Sequence, residues 1–281
     1  MVEELGRPAK LPDIQRLEKQ LVVELADTSA IDLLAEGLPL SRQKLKQTME
    51  KGGVWLKKAK GGRRRIRRAK TPLHKGDVLE LHYDAHILAT EAPRPQLIAD
   101  KKAYSVWYKP AKMLSQGSKF ADHCAITRWI EKNHEPRRTA YLVHRLDRAA
   151  SGLILIAHDR NTAAKLSNLF STRNIQKRYR VEVNGKFAGD LPMRITTPLD
   201  GKTAESSILS ASINDDQSEL VVEIRTGRKH QIRRHLSEAG WPVSGDKLYG
   251  DPNARGELKL KADYLSFICP LSGVPVTYQL D

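Results

Sequence analysis

Cysteine is nearly absent from this chain of 281 residues: Cys124 and Cys269 stand far apart and without CxxC spacing. That excludes a disulfide framework and offers no thiolate zinc site, so both are expected as reduced thiols. No stretch of about 20 apolar residues occurs, and no amphipathic helix pairs a broad apolar face with the basic runs, so neither a membrane span nor an interfacial anchor is expected. The opening Met-Val-Glu-Glu-Leu-Gly has no basic stretch followed by an apolar one, which speaks against a secretion signal and for a cytoplasmic protein. Neither GxxxxGK[ST] nor GxGxxG is present, so a nucleotide cofactor is not expected. HExxH is missing too, and His230 and His235 are five apart rather than the four of the zinc helix signature, which disfavours a metal hydrolase built from His144, Asp147, His158, Asp159, His230 and His235. His144 is instead expected to shape its loop. No repeat of solenoid period and no long apolar heptad pattern appear, so a monomer without cofactor or metal is the expectation.

Basic residues dominate. Lys and Arg number 48 against 33 Asp and Glu, a formal net charge of +15. Each cation that neutralises a phosphate releases a condensed counterion, so nucleic acid is the expected partner. A hydrophobic content of 40% supports a core, and the length suits one large domain plus a small module.

The chain divides on paper into residues 1–28, 29–84, 85–101 and 102–281. The first is an N-terminal extension in which Ile14 to Leu25 reads as a polar helical stretch. In the second, Ser29 caps a helix with Ile31, Leu34, Ala35 and Leu38 at helical spacing and Asp32 as a capping-box relative. Ser41 opens another helix, with Leu45 and Met49 on one side and Arg42, Lys44 and Lys46 pointing elsewhere; Gly52-Gly53 ends it. A strand from Val54 leads into the basic loop Lys57 to Lys70, where Arg63, Arg64, Arg65, Arg67 and Arg68 are expected to touch phosphate, positioning RNA without reading bases. A closing strand, Val78 to Tyr83, follows. Residues 85–101, with Pro93 and Pro95, read as a linker. Beyond it, strands are expected at Tyr104 to Tyr108, Leu153 to Ala157, Tyr179 to Val183 and Leu220 to Arg225, with helices at Asn161 to Phe170 and His230 to Ala239. Without strict alternation, this suits an α+β domain with a mixed, largely antiparallel sheet.

The most informative run is Tyr141-Leu-Val-His-Arg-Leu-Asp-Arg-Ala-Ala-Ser-Gly152, which sets Asp147 between two arginines just before an apolar strand. Polar residues there sit at the edge of a sheet core, as a catalytic loop would. His144-Arg-Leu-Asp-Arg148 resembles the central motif of the RluA-type pseudouridine synthases. Gln176-Lys-Arg-Tyr-Arg180 is similar to that family's Lys-x-Tyr strand, and Thr226-Gly-Arg-Lys-His-Gln-Ile-Arg-Arg-His235 with Gly245-Asp-Lys-Leu-Tyr-Gly250 to its later segments. Lys229, Arg234, Ala149 and Ala150 depart from the usual pattern without removing a functional group. Two helices, a turn and a small sheet, with Leu40-Ser-Arg42 opening the second helix, further resemble the S4 RNA-binding module over residues 29–84.

The resemblance implies a pseudouridine synthase fold preceded by a small α/β S4-like module, and an isomerase that converts uridine to pseudouridine. Asp147 is then the essential carboxylate, acting on the ribose as nucleophile at C1′ or base at C2′. Arg233 is expected as its salt-bridge partner, with Arg228 second. Tyr179 would stack on the uracil, its hydroxyl taking part in removal of the C5 proton. Arg145 would enter the RNA stack as the base leaves, and Arg148, Arg228 and His230 complete the RNA-facing set. Within the family an S4 module often accompanies enzymes acting on large-subunit ribosomal RNA, so that substrate is expected first and transfer RNA second. The competing class is a non-catalytic RNA-binding or ribosome-associated factor, for which Asp147→Asn should behave as wild type.

Overall fold

The computed structural model describes residues 14–24 and 28–281. These form two compact units: one takes the described residues up to Ala92 together with Gly117–Cys124, the other Pro93–Gln116 and Ala125–Asp281. Among the described residues no helix is long and apolar enough to cross a membrane.

The first unit runs β1 (Arg16–Val22), α1 (Ala30–Gly37), α2 (Arg42–Glu50), β2 (Val54–Lys57), β3 (Arg63–Arg65), β4 (Val78–Asp84) and α3 (Ala85–Ala89), with sheet order β1-β4-β2-β3. Both helices start as their caps predict: Ser29 accepts from the Asp32 amide and Ser41 from the Lys44 amide. Leu34, Leu45 and Met49 meet Val54, Leu56, Leu79 and Leu81 in one core. The helix expected over Ile14 to Leu25 is instead strand β1. Leu17 and Leu21, four apart, imitate a helical stripe, but seven residue pairs with β4 decide the conformation. Residues 1–13 and 25–27 of the expected extension, Leu25 among them, lie outside the described residues. The expected linker is also structured, holding α3 and strand β5 (Gln96–Asp100), so the first unit extends past residue 84 and the second begins before 102.

The second unit continues with β6 (Tyr104–Lys109), α4 (Ile126–Asn133), β7 (Tyr141–Leu142), β8 (Ser151–Ala157), α5 (Arg160–Ser171), β9 (Ile175–Asn184), β10 (Met193–Ile195), β11 (Ser206–Asn214), β12 (Gln217–Ile224), α6 (Gln231–Glu238), β13 (Leu260–Ile268) and β14 (Pro275–Gln279). Its mixed sheet has the order β10-β11-β12-β9-β13-β8-β6-β5, with β14 beside β13 and β7 beside β8. Only β8 and β13 run parallel among its described pairs. The α+β, mainly antiparallel expectation holds. Strand β8 sends Leu153, Leu155 and Ala157 into one core and Ile154 and Ile156 into another, while Val181 and Val183 of β9 and Leu220, Val222 and Ile224 of β12 join Ile232 and Leu236 of α6 in a third. At Gly152, with φ +119°, an added Cβ would lie 2.2 Å from the Ala262 carbonyl oxygen. The parallel pairing that follows the Asp147 loop therefore requires glycine.

Candidate active site

Asp147 sits in the turn between β7 and β8, and that turn is fixed by two side chains from elsewhere, Ser115 and Lys109, and by one of its own, His144. The Ser115 hydroxyl accepts from the Leu146 amide at 3.0 Å and donates to the Leu146 carbonyl at 2.7 Å. His144 Nε2 accepts from the Leu155 amide at 2.9 Å, its ring stacked on Phe170 at 4.3 Å. Fully buried Lys109 donates to the carbonyls of Pro110, Met113 and Ala150 at 3.0, 2.9 and 2.6 Å. Burial pushes His144 down to about 3, so it is neutral, and lowers Lys109 to about 8, with the Asp147 charge opposing. In the sequence Lys109 reads only as the end of a strand; a lysine inside an apolar strand is the signal that marks it.

The Thr226–His235 segment works likewise. Buried Gln231 accepts from the Thr226 hydroxyl and the Arg228 amide, and donates to the Glu205 carbonyl and Ser206 hydroxyl. These bonds hold the turn before α6, so Arg228 and His230 face a cavity of about 280 Å³ that Asp147, Tyr179 and Arg145 also line. His230 caps α6 in the left-handed conformation, φ 54°. Its Nδ1 lies 2.9 Å from the Tyr249 hydroxyl, and its Nε2 3.9 Å from Asp147 Oδ1. Burial, opposed by Asp147 and reinforced by Arg233 and Lys229, keeps its pKa below the ordinary value, so the contact with Asp147 is not a charged bridge at neutral pH.

Arg233 stands within ion-pair distance of Asp147, as expected, but it has a closer partner. Its Nη1 stands 3.9 Å from Asp147 Oδ2, but its fork closes on Asp246: Nε to Oδ2 and Nη2 to Oδ1, both 2.7 Å. Asp246 also accepts from the amides of Leu248 and Tyr249. Burial alone would raise Asp246 and lower Arg233; their mutual bonds reverse both shifts and keep the pair ionised. The guanidinium thus reaches Asp147 as a second, longer-range partner, which leaves that carboxylate, 22% exposed, open to the cavity. Asp246 is not among the expected site residues, although a buried arginine calls for a carboxylate and the Gly245-Asp246 pair opens one of the motif segments.

Tyr179 lies at the middle of the sheet, opposite Val222 on β12 and Ala262 on β13. Burial and the Asp147 charge raise its pKa, so the phenol stays protonated; this supports a stacking face and a hydrogen-bond donor and opposes a phenolate base at C5. Arg148 is exposed and outside the cavity. Arg234 pairs with Asp200. His235 bonds Ser206 and Thr197, His158 bonds Ser105 and Thr139, and Asp159 caps α5. Among the described residues no three His, Cys, Asp or Glu side chains converge as metal ligands would.

In the first unit the basic set splits by strand parity. Arg63 bonds Glu80, while Arg65 and Arg67 both bond Asp122; Arg63 and Arg65 also stack on Trp55, each 4.2 Å from its ring centre. Arg64 and Arg68 are exposed, as is Lys46, and Arg42 pairs with Asp32. Alternate arginines thus serve the fold, and the expectation of phosphate contact narrows to the outward-facing ones.

The RNA pseudouridylate synthase family matches residues 103–238. The protein named "Uncharacterized RNA pseudouridine synthase YjbO" of Bacillus subtilis is 36% identical over 151 residues, 48% of this chain and 53% of that one. The dual-specificity RNA pseudouridine synthase RluA of Yersinia pestis is 33% identical over 161 residues, 51% of this chain and 78% of that one. The chain spans about half the length of several other curated relatives it matches, 46% in two of them. In fold it is similar to human RNA pseudouridylate synthase domain containing 1, with TM-score 0.56 at 19% identity, covering 68% of this chain and 85% of that one. Human RNA pseudouridylate synthase domain containing 4 gives 0.54 at 21%, covering 66% and 88%. With Asp147 and Tyr179 lining one cavity, Arg233 behind Asp147 at 3.9 Å, and a relative above 30% identity covered over most of its length, the chain belongs to the RluA-type family of RNA pseudouridine synthases.

Proposed function

We propose that this protein isomerises uridine to pseudouridine in structured RNA, without cofactor or metal and as a cytoplasmic monomer. The observation that carries the reading is the Asp147 carboxylate facing the cavity, with a buried guanidinium 3.9 Å behind it and Tyr179 in the same wall. The reaction breaks N1–C1′, turns the detached uracil and forms C5–C1′; the proton lost at C5 is balanced by one gained at N1. No water has to be activated, so one carboxylate is sufficient where hydrolases of glycosidic bonds use two. Asp147 acts on the ribose, Tyr179 stacks on the uracil, and Arg233 stands behind Asp147 while Asp246 holds Arg233. Arg145 occupies the space the extruded base vacates, at a cost of a few kcal/mol that phosphate contacts offset.

The first unit is read as an S4-like module whose outward cations, Arg64, Arg68 and Lys46, follow the RNA backbone. Ribosomal RNA is the first substrate class, on the S4-like reading of the first unit, and transfer RNA the second, which a relative named tRNA pseudouridine synthase C supports. Mapping pseudouridines in total RNA from cells with and without the gene tests this. One or more sites should vanish and return with the wild-type gene but not with Asp147→Asn; restoration by Asp147→Asn would overturn the enzymatic reading.

A further inference from the structure

Next to the candidate site lies a second cavity, of about 580 Å³, that shares Arg145, Tyr179 and Arg228 with it and adds Arg173, Lys177 and Arg225. Among the described residues no Asp or Glu lines it. We propose that this cavity seats an RNA phosphate next to the extruded uridine, with Lys177 as its central cation. The inference rests on the RNA-modifying reading above and assigns it a backbone subsite.

Lys177 is the reason. It is only 8% exposed, yet its ammonium is not sealed in: among the described residues it makes no hydrogen bond or ion pair, and it opens onto the cavity. The same fold satisfies a buried lysine that has a structural role, since Lys109 is given three carbonyls. In the free protein this ammonium has water alone against the repulsion of the neighbouring arginines. A phosphodiester supplies both the missing charge and the missing acceptors. Burial, then the Arg173 charge, lowers Lys177 to about 8, as expected of a cation without counter-charge. His144, the cavity's remaining basic group, is neutral.

The ligand's identity follows from position. Lys177 and Tyr179 are two apart on β9 and so point to the same face, about 7 Å from each other. An anion at Lys177 therefore belongs to the chain whose base rests on Tyr179. Free phosphate shares that chemistry, so the experiment separates the two sources.

Binding of a uridine-containing stem–loop RNA is measured as a function of salt on an Asp147→Asn background, where turnover plays no part. Adding Lys177→Met should weaken binding about tenfold and reduce the slope of log K against log salt by about one; Lys177→Arg should restore both. The thermal midpoint of Lys177→Met should equal or exceed that of its parent, because an unpartnered cation has been replaced by an apolar chain, and inorganic phosphate should raise the midpoint of the parent alone. An unchanged RNA slope overturns the proposal; if phosphate still stabilises only the parent, the site serves free anions. A lowered midpoint without phosphate also overturns it, because Lys177 would then be holding the fold. Failure here leaves the Asp147→Asn mapping result untouched, so the two readings fall separately.

Discussion

Asp246→Asn removes the charge that locks Arg233. The pair is buried, with side-chain exposures of 8% for Arg233 and 1% for Asp246, and both bonds are 2.7 Å. Asn keeps one carbonyl oxygen for Arg233 Nη2 and the Leu248 and Tyr249 amides, but it turns an NH₂ toward Arg233 Nε and leaves a buried cation without its counter-charge. Breaking a buried pair from one side costs about 3 to 5 kcal/mol, or roughly 6 to 20 °C in melting temperature at this size. Relieved of Asp246, Arg233 has one carboxylate left in reach, Asp147 at 3.9 Å. At an effective dielectric near 20 that attraction is about 4 kcal/mol, so the guanidinium should swing onto Asp147 and occupy the catalytic carboxylate. Urea denaturation and single-turnover pseudouridine formation are the assays. Both stability and rate should fall, whereas Arg233→Met combined with Asp246→Leu should recover much of the stability and none of the rate. An Asp246→Asn protein within about 1 kcal/mol of wild type, or a double variant no more stable than the single one, would refute the reasoning.

Replacing Arg64 and Arg68 with Gln should reduce the salt slope of RNA binding by about two with stability unchanged, whereas Arg65→Gln or Arg67→Gln should mainly lower the melting temperature of the first unit; calorimetry beside binding titrations tells them apart. Lys109→Met orphans two buried carbonyls and one part-buried one and should cost about 2 to 4 kcal/mol, read from the urea midpoint. RNA affinity should be flat below pH 8 and decline above it. Lys177 titrates at about 8 when free, and a phosphate raises that value, so binding takes up a proton in the interval and weakens as pH rises. Of the other groups facing it, His144 stays neutral and Tyr179 stays a phenol across that interval, and the rest are the guanidiniums of Arg145, Arg173, Arg225 and Arg228. Isothermal titration in two buffers of different ionisation enthalpy measures the proton uptake, which should disappear in Lys177→Met.

Local signals are legible in the sequence where local physics decides. Caps at Ser29 and Ser41, the apolar run of β8 and the polar turn ahead of it need no distant partner to be recognised. The grouping of Asp147, Tyr179 and Arg233 is also legible, through motif spelling. What escapes depends on residues far apart along the chain. Strand β1 exists because β4 pairs with it, and Leu17 and Leu21 alone suggest a helix. Arg63, Arg65 and Arg67 look like their neighbours Arg64 and Arg68 until Glu80 and Asp122 claim them. Motif spelling assigns Arg233 to Asp147, and only the fold shows that Asp246 takes its fork.

The three ties on the Asp147 turn come from Lys109, Ser115 and His144, and they grip the main chain at Leu146, Ala150 and Leu155. The carboxylate is thereby aimed before any RNA arrives, and no part of the binding free energy is diverted to ordering it. A second consequence concerns what the turn tolerates. Exposed Arg148 can be exchanged freely as far as the backbone is concerned, but inserting or deleting a single residue between Leu146 and Ala150 would break the register of all the anchors together.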